Sequence, residues 1–215
     1  MVKLSRVTKL DGIRSWSLEA GQTCPGSYKL DGTLVDACSG CYAKAGNYRF
    51  SNVKAPRQHN RQDWKRDDWE QDMIQELDND RYFRWFDSGD IYHPKLAEKI
   101  YNICQATPWV KHWIPTRSYK IPKIKAILEQ LNELPNVVVR YSSDSITGEY
   151  KNHHGSTIVP TPDWNDSNIH ICQAYLHGKC NKCRSCWDKS VKTVGYVAHG
   201  RSMTAKLKKL DIITK

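Results

Sequence analysis

The chain has 215 residues, enough for one sizeable domain in which a core can bury about 70% of the unfolded surface, so it needs no covalent staples to fold. Its 33 Lys and Arg against 23 Asp and Glu give a formal charge of +10, which favours a polyanionic partner; a solvated basic surface is the plainer reading. There is no run of about 18 apolar residues and no apolar segment behind Met1, which excludes a helical membrane span and a secretory signal. A reducing, cytoplasmic compartment follows, so the eight cysteines read as ligands or catalytic groups before they read as disulfides.

In chain order, WSLEAGQTCPG and the glycine-containing stretch through Ala45 and Gly46 predict strand fragments and turns. They carry Cys24, Cys38 and Cys41 in the spacing Cys-x13-Cys-x2-Cys. Residues 57–78 contain no strong breaker and place Trp69, Met73, Ile74 and Leu77 on one helical face, which predicts one helix. RYFRWFDSGDI predicts an aromatic strand ending at Asp87, Ser88, Gly89 and Asp90. A helix from Pro94 to Ala106 follows, with the proline in its first turn. Cys104, on the apolar side of that helix, reads as a buried, inert thiol.

The alternation continues. VKHWIPTRS predicts a strand closing at Thr116, Arg117 and Ser118; PKIKAILEQLNEL is an amphipathic helix; NVVVRYSSDS is a strand whose Arg140 is followed by Ser142, Ser143 and Asp144. Such alternation predicts βαβ units, and in those folds ligands gather at the carboxyl ends of the strands. Three strand ends would then deliver Asp87, Ser88, Gly89, Asp90, Thr116, Arg117, Ser118, Arg140, Ser142 and Asp144 to one rim for a small-molecule ligand. Capping and turn roles are the competing reading for each. Residues 148–168, with His153 and His154 adjacent, predict a long irregular loop; TVGYVAHG predicts a short strand, and a basic helix closes the sequence.

Cys172, Cys180, Cys183 and Cys186 form a second group, Cys-x7-Cys-x2-Cys-x2-Cys. Two successive x2 spacings let a tight loop present three thiolates to one concavity, and four thiols close the shell of a zinc ion or a [4Fe-4S] cluster. Ferredoxins share the Cys-x2-Cys-x2-Cys opening and zinc favours pairs of ligands set further apart, so iron–sulfur leads over zinc. The first group either holds three irons of a cluster whose fourth iron is open, or joins the same centre as the second, or is partly buried and inert. His59, His93, His112, His170, His177 and His199 remain as sources of a missing ligand. No nucleophile elbow, Walker A loop or His-Glu-x-x-His element is present, so a hydrolase of those types is unsupported.

The CPG and CSGCYAKAG segments, RWFDSGDI, the TRS and RYSSD strand ends, the C-terminal cysteine loop with its trailing Trp187, and the Val197–Gly200 ending together resemble the bacteriophage gene-product-88-like family from about Ser17 to Gly200. The resemblance implies a phage iron–sulfur protein, in the cytoplasm of the infected host, with a partial (β/α) TIM-like barrel distantly similar to radical S-adenosylmethionine enzymes. It implies one domain over 1–215 with the cluster-binding segment 169–190 inside it, and one or two [4Fe-4S] clusters. The first group departs from the Cys-x3-Cys-x2-Cys loop of the radical enzymes and keeps only its second half, Cys38 to Cys41 with Tyr42 behind it.

Three functions stay open beside a redox or structural cluster carrier with a redox partner: a radical enzyme using S-adenosylmethionine, a zinc-dependent nucleic-acid-binding protein whose eight tryptophans stack on bases, and a structural or host-directed phage factor.

Overall fold

The computed structural model describes residues 1–150 and 154–210; His153 and Lys215 lie outside the described residues. Strands β1 (Ser5–Val7) and β2 (Ile13–Trp16) form an antiparallel hairpin, and β3 (Tyr82–Trp85), β4 (Lys111–Thr116) and β5 (Val137–Tyr141) add to β2 in parallel, in the order β1-β2-β3-β4-β5. The 27 to 41 and 42 to 50 segments are short turns around a four-residue helix α1 (Asp36–Ser39). Helices α2 (Ser51–Asp63) and α3 (Trp69–Glu76) precede β3; α4 (Pro94–Ala106) and α5 (Pro122–Glu133) supply the crossovers that parallel neighbours require. Both crossover helices open on proline, whose fixed φ and missing N–H suit the first turn.

The single helix expected over 57–78 is two. The chain breaks between Trp64 and Asp68, where the Arg66 guanidinium binds Asp63 at 2.8 Å, Asp72 at 2.6 Å and also Asp68, while its carbonyl accepts from Lys99 Nζ at 2.6 Å. Local charge pairing satisfies a turn where apolar periodicity alone continued a helix. The irregular stretch expected over 148–168 contains β6 (Gly155–Val159), which begins a second sheet with β7 (Ile169–Ile171) and β8 (Thr193–Val197) in the order β6-β8-β7, all parallel. Short helices α6 (Ala174–His177) and α7 (Arg201–Lys209) complete the described elements.

The architecture is therefore mixed α/β with two sheets. A single bridge, Ser142 to Ser156, links the end of β5 to β6, and no strand pairing among the described residues closes the sheets into a barrel. The long helices that separate β3, β4 and β5 have no counterpart between β6, β7 and β8, which is why the regular alternation stops. Among the described residues no helix is long and apolar enough to cross a membrane.

The main core lies between the first sheet and helices α3, α4 and α5. Trp16, Trp69 and Trp85 are fully buried and meet edge to face, with ring centroids 5.3 Å apart for Trp16–Trp69 and 6.0 Å for Trp16–Trp85. Cys104 is buried in the same core. Phe83 and Trp85 point into it, so the residue between them, Arg84, faces the other side of the sheet. On that side Arg84 neighbours Tyr42, which follows Cys41, and Cys186 with its partner Tyr196.

Candidate functional site

The C-terminal thiols meet around one cavity of about 200 Å³, whose walls include Cys172, Cys180, Cys183, Cys186, His170, Ser185 and Trp187. Cys172 follows β7; the other three lie on a loop with the local geometry that two x2 spacings demand. Asn181 and Lys182, between Cys180 and Cys183, are both left-handed (φ 47° and 66°), a conformation Asn tolerates and Lys rarely adopts. The N-terminal hairpin holds it there: Cys180 N donates to Lys9 O at 2.8 Å, Lys182 N to Asp11 Oδ2 at 3.1 Å, and Arg184 to the same carboxylate at 3.0 Å.

From below, the loop is held by Arg140. Fully buried, its guanidinium donates to the carbonyls of Ser185 (2.7 Å), Asp188 (2.8 Å), Cys186 (3.0 Å), Val191 (3.0 Å) and Gly155 (3.5 Å). Apart from the long contact to Gly155 in β6, its hydrogen bonds go to the loop that carries the thiols and to its exit at Val191.

Burial pushes the Cys180 thiol up to about 12 and the neighbouring Cys172, Cys186 and Cys183 add to the rise; burial pushes Cys186 up to about 11 against the Tyr196 hydroxyl and Arg140. Cys172 is raised by burial and by Cys183. Burial thus favours the protonated form of Cys172, Cys180 and Cys186. Tyr196 sits 3.4 Å from Cys186 Sγ, and His170 Nε2 lies 3.8 Å from Cys183 Sγ.

The N-terminal thiols are positioned differently. Gly89 has φ +74°, and a Cβ there would stand 2.6 Å from Leu18 Cβ and 2.7 Å from Thr23 Oγ1, so glycine lets the β3 end press onto the segment leading to Cys24. A Cβ on Gly26 would stand 2.2 Å from the Arg117 carbonyl oxygen, so CPG packs directly on TRS. Burial pushes Cys24 up to about 12, with Asp90, Cys38 and Cys41 adding to the rise; Cys41 is raised by burial and Cys38. Cys38 Sγ donates to Ser27 Oγ at 3.2 Å. These three cysteines and Asp90 thus form one neighbourhood.

The strand-end residues are tied to one another. Asp87 receives both oxygens' worth of Arg57 Nη2 (3.0 and 2.7 Å) and the Tyr48 hydroxyl (3.2 Å), while its carbonyl accepts from Tyr42 at 2.6 Å. Ser88 Oγ donates to Leu18 O at 2.7 Å and accepts from Arg57 Nε at 2.7 Å. Asp90 accepts from Thr116 Oγ1 (2.6 Å), Ile91 N (2.7 Å) and Arg117 N (2.8 Å), and its burial raises its pKa against those bonds. Ser118 Oγ donates to Ile91 O at 2.5 Å. Arg117 reaches Ser143 O at 2.6 Å and Asp144 at 3.6 Å, and Lys120 joins Asp144 to Gly26 O. Ser142 Oγ accepts from Ser156 Oγ at 3.3 Å, at the bridge between the sheets.

Asp87 to Asp90, Thr116 to Ser118 and Asp144 thus sit beside the first cysteine group, whereas Arg140 sits beside the second. Residues that cysteine spacing did not single out are Arg57, Arg84, Tyr48 and Tyr196. Strand alternation was the available signal for Arg84, since Phe83 and Trp85 flank it. Among the described residues no three His, Cys, Asp or Glu side chains are arranged to hold a single metal ion; the four C-terminal thiols line a cavity instead of converging on a point. Trp16, Trp64, Trp69, Trp85, Trp113 and Trp187 are buried, which removes six of the eight indoles from any stacking surface.

No curated protein and no solved structure matches the chain. A family model described as Gene product 88 matches residues 3–189, a span that takes in both cysteine groups and all three strand ends. By that match the chain belongs to the Gene product 88 family, the bacteriophage family that its motifs resemble.

Proposed function

We propose that this is a phage protein, acting in the cytoplasm of the infected host, that carries a [4Fe-4S] cluster in the C-terminal cavity in a redox or structural role. The single observation behind the reading is the cavity of about 200 Å³ walled by Cys172, Cys180, Cys183 and Cys186. A zinc ion would need its sulfurs drawn in to about 2.3 Å from one point, whereas a cluster occupies a cavity's width with thiols around its edge. When bound, such a cluster supplies one-electron exchange. The chain's own part is to hold and tune it: Cys172, Cys180, Cys183 and Cys186 as ligands, Tyr196 at the Cys186 sulfur, Arg140 fixing the loop, and Trp187 and Val194 keeping that wall apolar. In this reading residues 1–215 form one domain, the two sheets are an opened TIM-like barrel, and 169–190 is its cluster-binding segment.

A second reading is favoured by the shared neighbourhood of Cys24, Cys38, Cys41 and Asp90. Three thiols leave one iron of a cluster open, and Asp87, Ser88, Gly89, Asp90, Thr116, Arg117, Ser118, Ser142 and Asp144 would then border a small-molecule ligand such as S-adenosylmethionine. Zinc-dependent nucleic-acid binding keeps the charge argument and loses most of its stacking tryptophans to the core.

Anaerobic purification followed by iron, acid-labile sulfide and zinc analysis tests all three. About four irons and four sulfides per chain, lost in Cys180→Ser and retained in Cys38→Ser, is the expected result for one C-terminal cluster; about eight of each points to two. Zinc without sulfide sinks the cluster reading. A changed electron paramagnetic resonance spectrum on adding S-adenosylmethionine, with 5'-deoxyadenosine formed after reduction, would promote the second reading over the first.

A further inference from the structure

Arg84 carries its charge on the face of the first sheet opposite the main core, and no described acid forms an ion pair with it. Its guanidinium lies 4.6 Å from the centroid of the Trp113 ring, and its buried Nε has no hydrogen-bond partner among the described residues. Asp87 is the acid that faces it, and Asp87 is already held by Arg57 at 2.7 Å. Arg140, further along the same face, meets carbonyl oxygens and no carboxylate. Two guanidinium groups, those of Arg57 and Arg84, thus share the one carboxylate of Asp87. The hydroxyls of Tyr42, Tyr48 and Tyr196 face Arg84 from the N-terminal loop and from β8.

Leaving a cation short of its counter-charge in a half-buried place is costly, and a protein gains nothing from it unless something supplies the missing charge. The Trp113 ring lies 4.6 Å from the guanidinium, whose planar fork suits a pair of anionic oxygens. We propose that the sheet face at Arg84, opposite the main core, binds a small molecule through an oxyanion group, a carboxylate or a phosphate, with Arg84 as the principal contact and Tyr42, Tyr48 and Tyr196 around it. The site lies between the two cysteine groups: Tyr42 directly follows Cys41, and Tyr196 contacts Cys186. Arg84 also acts on Cys186, so thiolates at that group would compete for its charge and the metal content has to be known when the site is tested.

The test is arginine footprinting of the full chain, at known iron and zinc content, with phenylglyoxal and peptide mass spectrometry. Succinate and inorganic phosphate serve as probes, and sodium chloride at matched ionic strength is the control. Saturable protection of Arg84 by about tenfold with succinate identifies a carboxylate ligand, and the same with phosphate identifies a phosphate ligand, a difference of about 1.4 kcal/mol in occupancy terms. Equal protection by chloride, protection by neither probe, or an Arg84 that phenylglyoxal never reaches overturns the proposal. Arg84→Gln, checked by circular dichroism for an unchanged fold, should weaken calorimetric binding of the protecting probe by about tenfold or more; unchanged binding overturns it as well. Because the readout is local to Arg84 and the metal content is known, failure here leaves the metal analysis untouched, and absence of metal leaves this result readable.

Discussion

The two cysteine neighbourhoods are built on opposite plans. The C-terminal thiols ride on a loop with little regular structure, and one buried arginine plus one hairpin hold it by its backbone. The N-terminal thiols lie on turns pressed against strand ends by glycines and cross-linked by side chains: Arg57 to Asp87, Lys120 to Asp144, Lys206 to Asp36. One site is therefore vulnerable at a single residue and the other degrades by parts. Even so, the C-terminal loop keeps side-chain ties of its own, Arg184 to Asp11 and Trp187 Nε1 to Phe83 O.

Substitutions should separate the plans. Arg140→Ala leaves five carbonyls without their donor in a buried place and should cost the most, about 3–5 kcal/mol in urea unfolding, with metal uptake at the C-terminal group lost. A loss under about 1 kcal/mol would mean the hairpin alone holds the loop. Asp87→Ala strands the Arg57 charge and should cost about 3 kcal/mol, while metal bound by the C-terminal thiols is retained. If that metal is lost too, the two neighbourhoods are one cooperative unit.

Acid should erode both plans through the core they share. His112 is fully buried, with Nδ1 accepting from Trp85 Nε1 at 3.3 Å and Nε2 facing Thr107 Oγ1 at 2.9 Å, and burial lowers its pKa from 6.5 to about 3, the Thr107 contact opposing. As pH falls the unfolded chain takes up this proton first. The stabilisation is complete above about 6.5 and is lost toward about 3, at up to about 1.4 kcal/mol per pH unit from this group alone. His112→Gln should flatten that part of the stability curve. The smallest effect belongs to Lys206→Ala: its 2.7 Å pair with Asp36 is partly exposed and should contribute about 0.5 kcal/mol, more at low salt than at high.

Much of this was legible in the residues, and what was not has physical causes. Helices α4 and α5 announce themselves through a first-turn proline and a 3.6-residue apolar period, and β3, β4 and β5 through runs of aromatic and branched residues between polar ends. The break after Asp63 was hidden because it depends on where Arg66 finds three acids, which is a matter of space. Strand β6, GSTIV, was hidden in a polar surround because its partner β8 lies beyond the cysteine loop. The C-terminal thiols were legible through spacing, and their cavity was foreseeable. The charge of Arg84 was visible while its lack of a partner was not, since a missing partner is a property of the whole interior.

The Lys182–Asp11 contact spans 171 positions of sequence. During synthesis the hairpin that receives the thiol loop exists long before the loop itself, and the cavity has no complete wall until residues 180–186 have left the ribosome and swung back to residues 9–11. Contacts of such separation are among the last to form as a chain folds. Under the proposed function, loading of the C-terminal thiols would follow translation to Cys186, and a product terminated before residue 180 would present a docking hairpin with nothing to dock.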